Sequence, residues 1–457
     1  MMELLVVAAI TATPTNVIVI LCDDLGYGDL GCYGQKGFAT PNIDRLATEG
    51  TRLTEFYSSS PACSPSRAAL LTGCYPQRVG IPFVLNPKSK AGLSRSEKTL
   101  PEIFQDSGYR TACIGKWHLG DAPNHWPTKH GFDSYFGLPY SNDMWPPNGN
   151  WPDLWLFRGE QRVKQLTTLS DQDDLTGMYT REAIEFIRKN RSRPFFLYLA
   201  HSMPHVPIGA SQEFKGKHPD WPYADTVRDL DASTGQIIDT LKKLHLDRQT
   251  LVVFTSDNGP WLPYGAHAGS SGGLREGKGT CYEGGQRVPA IFWQPGRIKS
   301  RVLGGIAANL DLLPTLAALA KVKVNGTQKI DGVSLANTIL DAKPSPREEF
   351  FYYYPDQLKA IRVGKWKLHV PHPDLEMVAA PGVDGKPGGQ KMGKIGLSLY
   401  DLSTDPAEKV NLVNQHPTVV ERLLLRIFKA RTTLGDTLTK SKGHEIRPAE
   451  PAIWKTD

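Results

Sequence analysis

The chain has 457 residues, with 53 Lys and Arg against 47 Asp and Glu and a formal net charge of +6. That length accommodates one large α/β domain plus a smaller one, in the composition of an ordinary globular protein. No apolar run is long enough to span a bilayer, no dense Lys/Arg stripe interleaved with aromatics points to nucleic acid, and the mild positive charge suits an anionic substrate without requiring one.

Residues 1–15 open with a short apolar core followed by small residues, which reads as the remnant of a secretory signal without its basic leading segment. The expectation is export, periplasmic or secreted. From residue 16 the text alternates short apolar runs with helical patterns, the signature of an α/β fold around a large, mostly parallel sheet. Strands are predicted at 16–21, 110–114, 195–200 and 251–255, and helices at 42–49, 99–106, 174–189, 226–244 and 311–320, the last interrupted early by Pro314. The first strand, Asn-Val-Ile-Val-Ile-Leu, has the continuous apolar character of a strand buried on both faces. Around 342–347 the sequence turns polar and Pro-containing, so a catalytic domain is expected over 16–345 and a C-terminal α+β subdomain over 346–457. In that subdomain the pattern gives antiparallel strands at 350–354, 360–363 and 365–370, a mobile Gly/Lys/Pro-rich loop at 381–393 and a closing helix at 417–430.

Polar residues of one chemical kind follow two of these strands: Cys22-Asp23-Asp24-Leu25-Gly26 and Thr255-Ser256-Asp257-Asn258-Gly259. Ligands gather beyond the carboxyl ends of strands in open α/β sheets. Asp23, Asp24, Asp257 and Asn258 together form an all-oxygen set suited to a hard cation, Ca2+ before Mg2+ and not zinc. The bland alternative is that these are turn formers.

Cys63-Ser64-Pro65-Ser66-Arg67 stands before a predicted helix, with Ser64 as the expected N-cap, Pro65 at the first helical position and Gly73 at the end. A helix N-terminus favours an anion, and Arg67, one turn on, can reach back toward residue 63. In Gly115-Lys116-Trp117-His118-Leu119-Gly120, an extended backbone puts Lys116 and His118 on one side, a pair able to hold an oxyanion and move a proton. The run His201-Ser202-Met203-Pro204-His205 cannot be a zinc helix because of its prolines; His205 is expected to enter a site and His201 to be structural. Gly277-Lys278-Gly279-Thr280 presents Lys278 as a point charge on a loop whose backbone can approach a ligand closely. Three tryptophans at 145, 151 and 155 sit amid prolines and fit a sugar-stacking rim or a packed irregular loop equally well. The six cysteines contain no Cys-x-x-Cys pair and do not support a dense disulfide framework.

These constellations, in this order, resemble the type I sulfatases of the alkaline phosphatase superfamily, and the stretch from Gly137 to Ser141 leans toward arylsulfatase A-like and N-acetylgalactosamine-6-sulfatase-like members. The resemblance implies that Cys63 is converted by a formylglycine-generating (sulfatase-maturating) enzyme to Cα-formylglycine, whose hydrate attacks the sulfur of a sulfate ester. It implies Ca2+ bound by Asp23, Asp24, Asp257 and Asn258 with an oxygen of the modified residue 63. Arg67 and Lys116 then stabilise the hydrated aldehyde, His118 is its base, and His205 and Lys278 hold the sulfate and assist the leaving oxygen. The implied substrate is a sulfated small molecule or carbohydrate. Two rivals stand beside this reading: a phosphodiesterase or phosphonate hydrolase of the same superfamily, and a non-catalytic binder of sulfated glycans in which Cys63 stays a thiol.

Overall fold

The structure, a computed structural model, describes residues 14–326, 328–377 and 380–454; the segment read as a signal remnant lies, up to residue 13, outside the described residues. Its centre is an eleven-stranded mixed sheet. Strand Asn16–Cys22 runs down the middle, parallel to Thr250–Ser256 on one side and to Phe195–Ala200 on the other, and Arg110–Gly115 continues the parallel part beyond Phe195–Ala200. Antiparallel strands extend both flanks, so the sheet is parallel where it carries the strand ends of interest and mixed overall.

Every residue of the central strand is buried. Val17, Val19 and Leu21 join one hydrophobic cluster with helices Cys63–Thr72, Leu100–Asp106 and Leu312–Ala320. Ile18, Ile20 and Cys22 join another with helices Pro41–Glu49, Leu175–Lys189 and Pro222–Lys243. The period-2 alternation of a strand thus divides one apolar run between two helical layers. Pro314 does not interrupt its helix, because at the third helical position its missing N–H has no partner to lose.

A second, four-stranded antiparallel sheet is built from Glu349–Tyr353, Leu358–Val363, Trp366–His369 and Ser398–Asp401. Helix Pro417–Leu434 closes it with Val420, Leu423 and Ile427, and the same cluster includes Tyr57 and Ala69 of the main sheet region. The expected loop at 381–393 proves to contain part of a strand: His372–Met377 and Gln390–Ile395 form a hairpin, and between them the amides of Gly382 and Gly388 donate to Pro263 O at 2.8 and 2.7 Å. Glycine and lysine content signalled disorder, but backbone hydrogen bonding decides the segment. Among the described residues, no helix is long and apolar enough to cross a membrane, and all six cysteines are free.

A fully buried ion cluster joins the two sheets. Lys367 Nζ lies 3.1 Å from Glu283 Oε1 and 2.9 Å from Glu408 Oε1, while Glu408 Oε2 accepts the Glu283 amide at 2.7 Å. Removing the cation leaves the buried carboxyl groups of Glu283 and Glu408 without the ammonium group that lies between them. Lys367→Ala is therefore expected to lower unfolding stability by about 3–5 kcal/mol, read as a shifted midpoint in chemical denaturation; an unchanged midpoint would refute this role.

Two glycines set spacings at the carboxyl edge of the main sheet. Gly115 has φ 110°, and a Cβ there would lie 1.8 Å from Ala200 O. A Cβ on Gly259 would lie 1.9 Å from Gly284 O.

Candidate active site

Strand register brings the predicted residues together. Cys22 pairs with Ser256, Leu21 with both Thr255 and Ala200, and Gly115 with Ala200. The next residues along these strands, Asp23, Asp257, His201 and Lys116, therefore emerge at one level. The turns are fixed by backbone hydrogen bonds: Asp23 N to Met203 O at 3.1 Å, Asp257 N to Cys22 O at 3.0 Å and Lys116 N to Ala200 O at 2.8 Å. Asp24 adopts the left-handed region at φ 66°, uncommon for a residue with a side chain and frequent at functional turns.

Helix Cys63–Thr72 points its N-terminus into this level, and all ten of its residues are buried. The helix begins two residues earlier than the sequence indicates. Ala62 is the N-cap, so Ser64 and Pro65 lie inside the first turn, and Ser64 Oγ instead accepts the Leu85 amide at 3.0 Å. Gly73 ends the helix at φ 68°, with its amide on Ala69 O at 2.9 Å. Cys63 is thus the first helical residue, where the dipole favours negative charge, and its Sγ lies 3.4 Å from Asp23 Oδ1.

Around the thiol the charges interlock. Arg67 donates from Nε and Nη2 to Asp257 Oδ2 at 3.0 and 2.8 Å and from Nη1 to Lys116 O at 2.7 Å; its Nη2 is also 3.6 Å from Asp23 Oδ2. Lys116 Nζ pairs with Asp23 Oδ2 and lies 3.0 Å from Ser141 Oγ. Lys278 Nζ donates to Asp24 at 2.8 Å and sits 4.3 Å from the centre of the Trp261 ring. His205, buried beside the same indole, holds Nε2 3.6 Å from Asp24 Oδ2. One ligand atom each from Asp23, Asp24, Cys63 and His205 lies within 4.8 Å of the others. Asp257 and Asn258 flank this group: Asp257 Oδ1 accepts the Asp24 amide at 3.1 Å, and Asn258 Nδ2 donates to Asp24 Oδ1 at 2.7 Å.

Protonation follows from burial and neighbours. Burial opposes charge on Asp23, but Lys116, His205, Arg67 and Lys278 hold its carboxyl well below the usual range. Burial next to Asp23 pushes Asp257 up, against the pull of Arg67. Burial also resists charge on Lys116 and Lys278, yet Asp23 and Asp24 respectively keep both ammonium groups above their ordinary values. Burial pushes the Cys63 thiol far up, so as a thiol it stays protonated.

His118 departs from the expected extended geometry: φ is 59°, so the chain turns after Trp117. Its ring is buried, and burial together with Lys116 and Arg67 holds it well below the ordinary imidazole value. Nε2 lies 2.8 Å from the carbonyl of Leu85 and must be the donor, leaving Nδ1 with a bare lone pair and no hydrogen-bond partner among the described residues. His201 is likewise buried and neutral, near Ser233 Oγ, in keeping with a structural role.

The residues present fit a hard cation. Asn258 Oδ1 is buried with no hydrogen-bond partner among the described residues, and it adjoins two carboxylates at the same strand ends. Three neighbours escaped the sequence reading: Ser141 on Lys116, Trp261 beneath Lys278, and Asn309, whose Oδ1 accepts from Ser59 and whose Nδ2 donates to Ser66 O at 3.0 Å. Trp261 follows the Asp257-Asn258-Gly259 turn closely enough for its position to hint at the site; nothing local marks Asn309.

The large mixed sheet with this charge-dense cluster at its carboxyl edge has the alkaline-phosphatase-like fold of solved sulfatase structures. More particularly, the chain belongs to the sulfatase family: residues 15–322 match the sulfatase family and residues 345–451 match the C-terminal region of aryl-sulfatase. It is 38% identical to arylsulfatase A of Homo sapiens over 474 aligned residues, covering 97% of this chain and 92% of that protein. With N-acetylgalactosamine-6-sulfatase of Canis lupus familiaris it shares 39% over 381 residues, 79% of this chain and 73% of the relative. The PsFucS1 sulfatase from Pseudoalteromonas sp. superposes with a TM-score of 0.84 at 28% identity, covering 95% of this chain and 92% of that one. Ps i-CgsB in complex with k-i-k-neocarrahexaose does so at 0.77 and 31%, covering 91% and 92%. The protein is a sulfuric ester hydrolase. Membership implies, in general, a metal-dependent formylglycine enzyme, and the buried Asp23, Asp24, Cys63 and His205 are compatible with one.

Proposed function

We propose that this sulfatase acts on sulfated carbohydrates through a formylglycine made from Cys63 and a Ca2+ ion held by Asp23, Asp24, Asp257 and Asn258 with an oxygen of the modified residue. The observation that carries the reading is that the first residue of a buried helix, Cys63, touches Asp23 inside a buried network in which Arg67 and Lys116 pair with Asp23 and Lys278 and His205 approach Asp24. The hydrated aldehyde supplies the hydroxyl nucleophile that a protonated thiol does not, and the cation, when bound, neutralises charge on the sulfuryl oxygens.

The chain's own residues do the rest. Arg67 and Lys116 orient residue 63 from one side. Lys278 and His205 face the sulfate from the other, in fixed positions that need no rearrangement as charge develops. The lone pair on His118 Nδ1 takes the proton released at residue 63 when sulfate departs, the ring being held by Leu85 O. Sulfated carbohydrate as substrate draws on the likeness to Ps i-CgsB, whose structure is in complex with k-i-k-neocarrahexaose. The reading also takes in a maturating enzyme acting on the Cys63 segment, export, and a division into a catalytic domain over 16–345 and a C-terminal subdomain over 346–457.

A peptide mass spectrum spanning residue 63 tests the nucleophile: the thiol-to-aldehyde mass change is expected, and unmodified cysteine in fully active enzyme overturns it. For the metal, dialysis against a calcium-selective chelator is expected to lower sulfatase activity by about 10²-fold or more, with recovery on adding Ca2+. Full activity in metal-free enzyme, confirmed by elemental analysis, would remove the cation from the reading.

A further inference from the structure

A cleft of about 790 Å³ is lined by segments that adjoin the site in the chain, with none of the site residues themselves in its wall. Three segments connect the two. Lys88 on the cleft wall follows Leu85, whose carbonyl holds His118. Asp121 follows His118 closely and accepts the Lys88 amide at 2.9 Å. Pro139 and Tyr140 line the cleft, Pro139 O accepting the His118 amide at 3.1 Å, and the next residue, Ser141, touches Lys116.

The lining has the chemistry of a sugar site. Trp126 and Phe157 line it and pack together with ring centres 4.8 Å apart. Trp155 and Trp454 also line it, Trp454 with 43% of its surface exposed. The C-terminal tail is held there: Glu450–Pro451 pairs with Ala91–Gly92, Ala452 N donates to Lys90 O at 2.8 Å, and Ile453 N donates to Asn124 Oδ1 at 2.9 Å. The tryptophans read at 145, 151 and 155 therefore part company, Trp145 being buried in the core and Trp155 lining the cleft.

The charges offer no excess of cations to a second sulfate. Glu160 is paired with Lys129 at 2.9 Å, and the other two carboxylates, Asp121 and Asp153, are balanced in number by Lys88 and Arg162. Arg162 lies over the Trp155 ring at 5.4 Å, and the Asp153 carboxylate has no ion-pair partner among the described residues. Carboxylate acceptors and aromatic faces lining one cleft match the hydroxyls and C–H faces of an uncharged sugar ring.

We infer that this cleft is a subsite for a neutral sugar unit attached to the sulfated one, which makes the substrate an oligosaccharide or polysaccharide and not an isolated sulfated monosaccharide or aryl ester. The inference rests on the carbohydrate reading above and deepens it.

The test compares wild type with Trp155→Ala and Trp454→Ala on singly sulfated hexasaccharides of galactan, fucan and N-acetylhexosamine type and on 4-nitrophenyl sulfate. A parallel titration follows tryptophan fluorescence with the desulfated hexasaccharides. Each variant is expected to lose about tenfold or more in kcat/KM on the best hexasaccharide while 4-nitrophenyl sulfate is unaffected, and to bind the neutral hexasaccharide more weakly by a similar factor. Equal losses on both substrates, or no loss on either, would overturn the subsite. If wild type cleaves no sulfate ester, the underlying reading has failed separately and the titration decides. Binding of a neutral hexasaccharide that both variants abolish upholds the subsite, and absence of binding by all of them refutes it.

Discussion

Cys63→Ser is expected to fold like the parent and to lose on the order of 10⁴-fold or more in kcat on any sulfate ester. The substitution exchanges one small polar atom for another at a position that is 2% exposed, so melting should shift little. Serine offers a single hydroxyl. It can attack sulfur under the influence of Lys116 and Arg67, but it has no second oxygen from which His118 could draw a proton to expel sulfate. The variant should therefore accumulate one covalently bound sulfuryl group per chain, visible by intact-mass spectrometry after incubation with substrate. Sustained turnover by this variant would exclude the assigned chemistry. A variant that neither turns over nor gains mass would show that serine is not attacking at all, and would place the reactivity in the hydrated aldehyde alone.

Arg67→Ala carries the second large effect, on stability and on activity together. The guanidinium is fully buried and makes three hydrogen bonds, two to Asp257 and one to Lys116 O. Without it, Asp257 is a buried carboxylate beside Asp23 with its main counter-charge gone. Breaking such a buried pair from one side costs about 3–5 kcal/mol, which should appear as a lower denaturation midpoint. Activity should fall by about 10²-fold or more, since the carbonyl of Lys116 loses the donor that fixes the turn carrying its ammonium group. Arg67→Lys is expected to recover little, because a single ammonium cannot span both carboxylate and carbonyl as the planar fork does. Near-parental stability of Arg67→Ala would mean that Asp257 is neutral or otherwise compensated in the folded protein.

Much of this arrangement could be read from residue order, for identifiable reasons. Strands such as Asn16–Cys22 announce themselves because burial on both faces demands an uninterrupted apolar run, and the acids that follow stand out against it. Short-range helix signals were less reliable. Ser64 and Pro65 look like a start, yet the helix begins at Cys63 with no capping side chain, because the Ser64 hydroxyl is engaged by the Leu85 amide instead. The 381–393 stretch has a composition that implies an unstructured loop, but its hydrogen bonds go to a partner strand and to Pro263, far away in sequence. The contact of Ser141 with Lys116 and the part played by Asn309 were hidden for the same reason. Each acts on a residue distant along the chain, and a lone serine or asparagine carries no local mark of that.

The contact between Gly115 and Ala200 O has an implication for how such a molecule can vary. Two chain segments there touch backbone to backbone, so the offset between the Lys116 turn and the loop leading to His205 is a fixed length with no adjustable side chain inside it. The Gly259–Gly284 contact does the same between the Asp257 turn and the segment that follows Lys278. A methyl group at either place would act as a wedge, parting charged groups whose mutual distances are near 3 Å. The ionic centre is therefore not a surface that can be retuned by small steps. Divergence toward new substrates has to occur where side chains still separate the backbone segments, at the outer walls reached by Trp155 and the C-terminal tail.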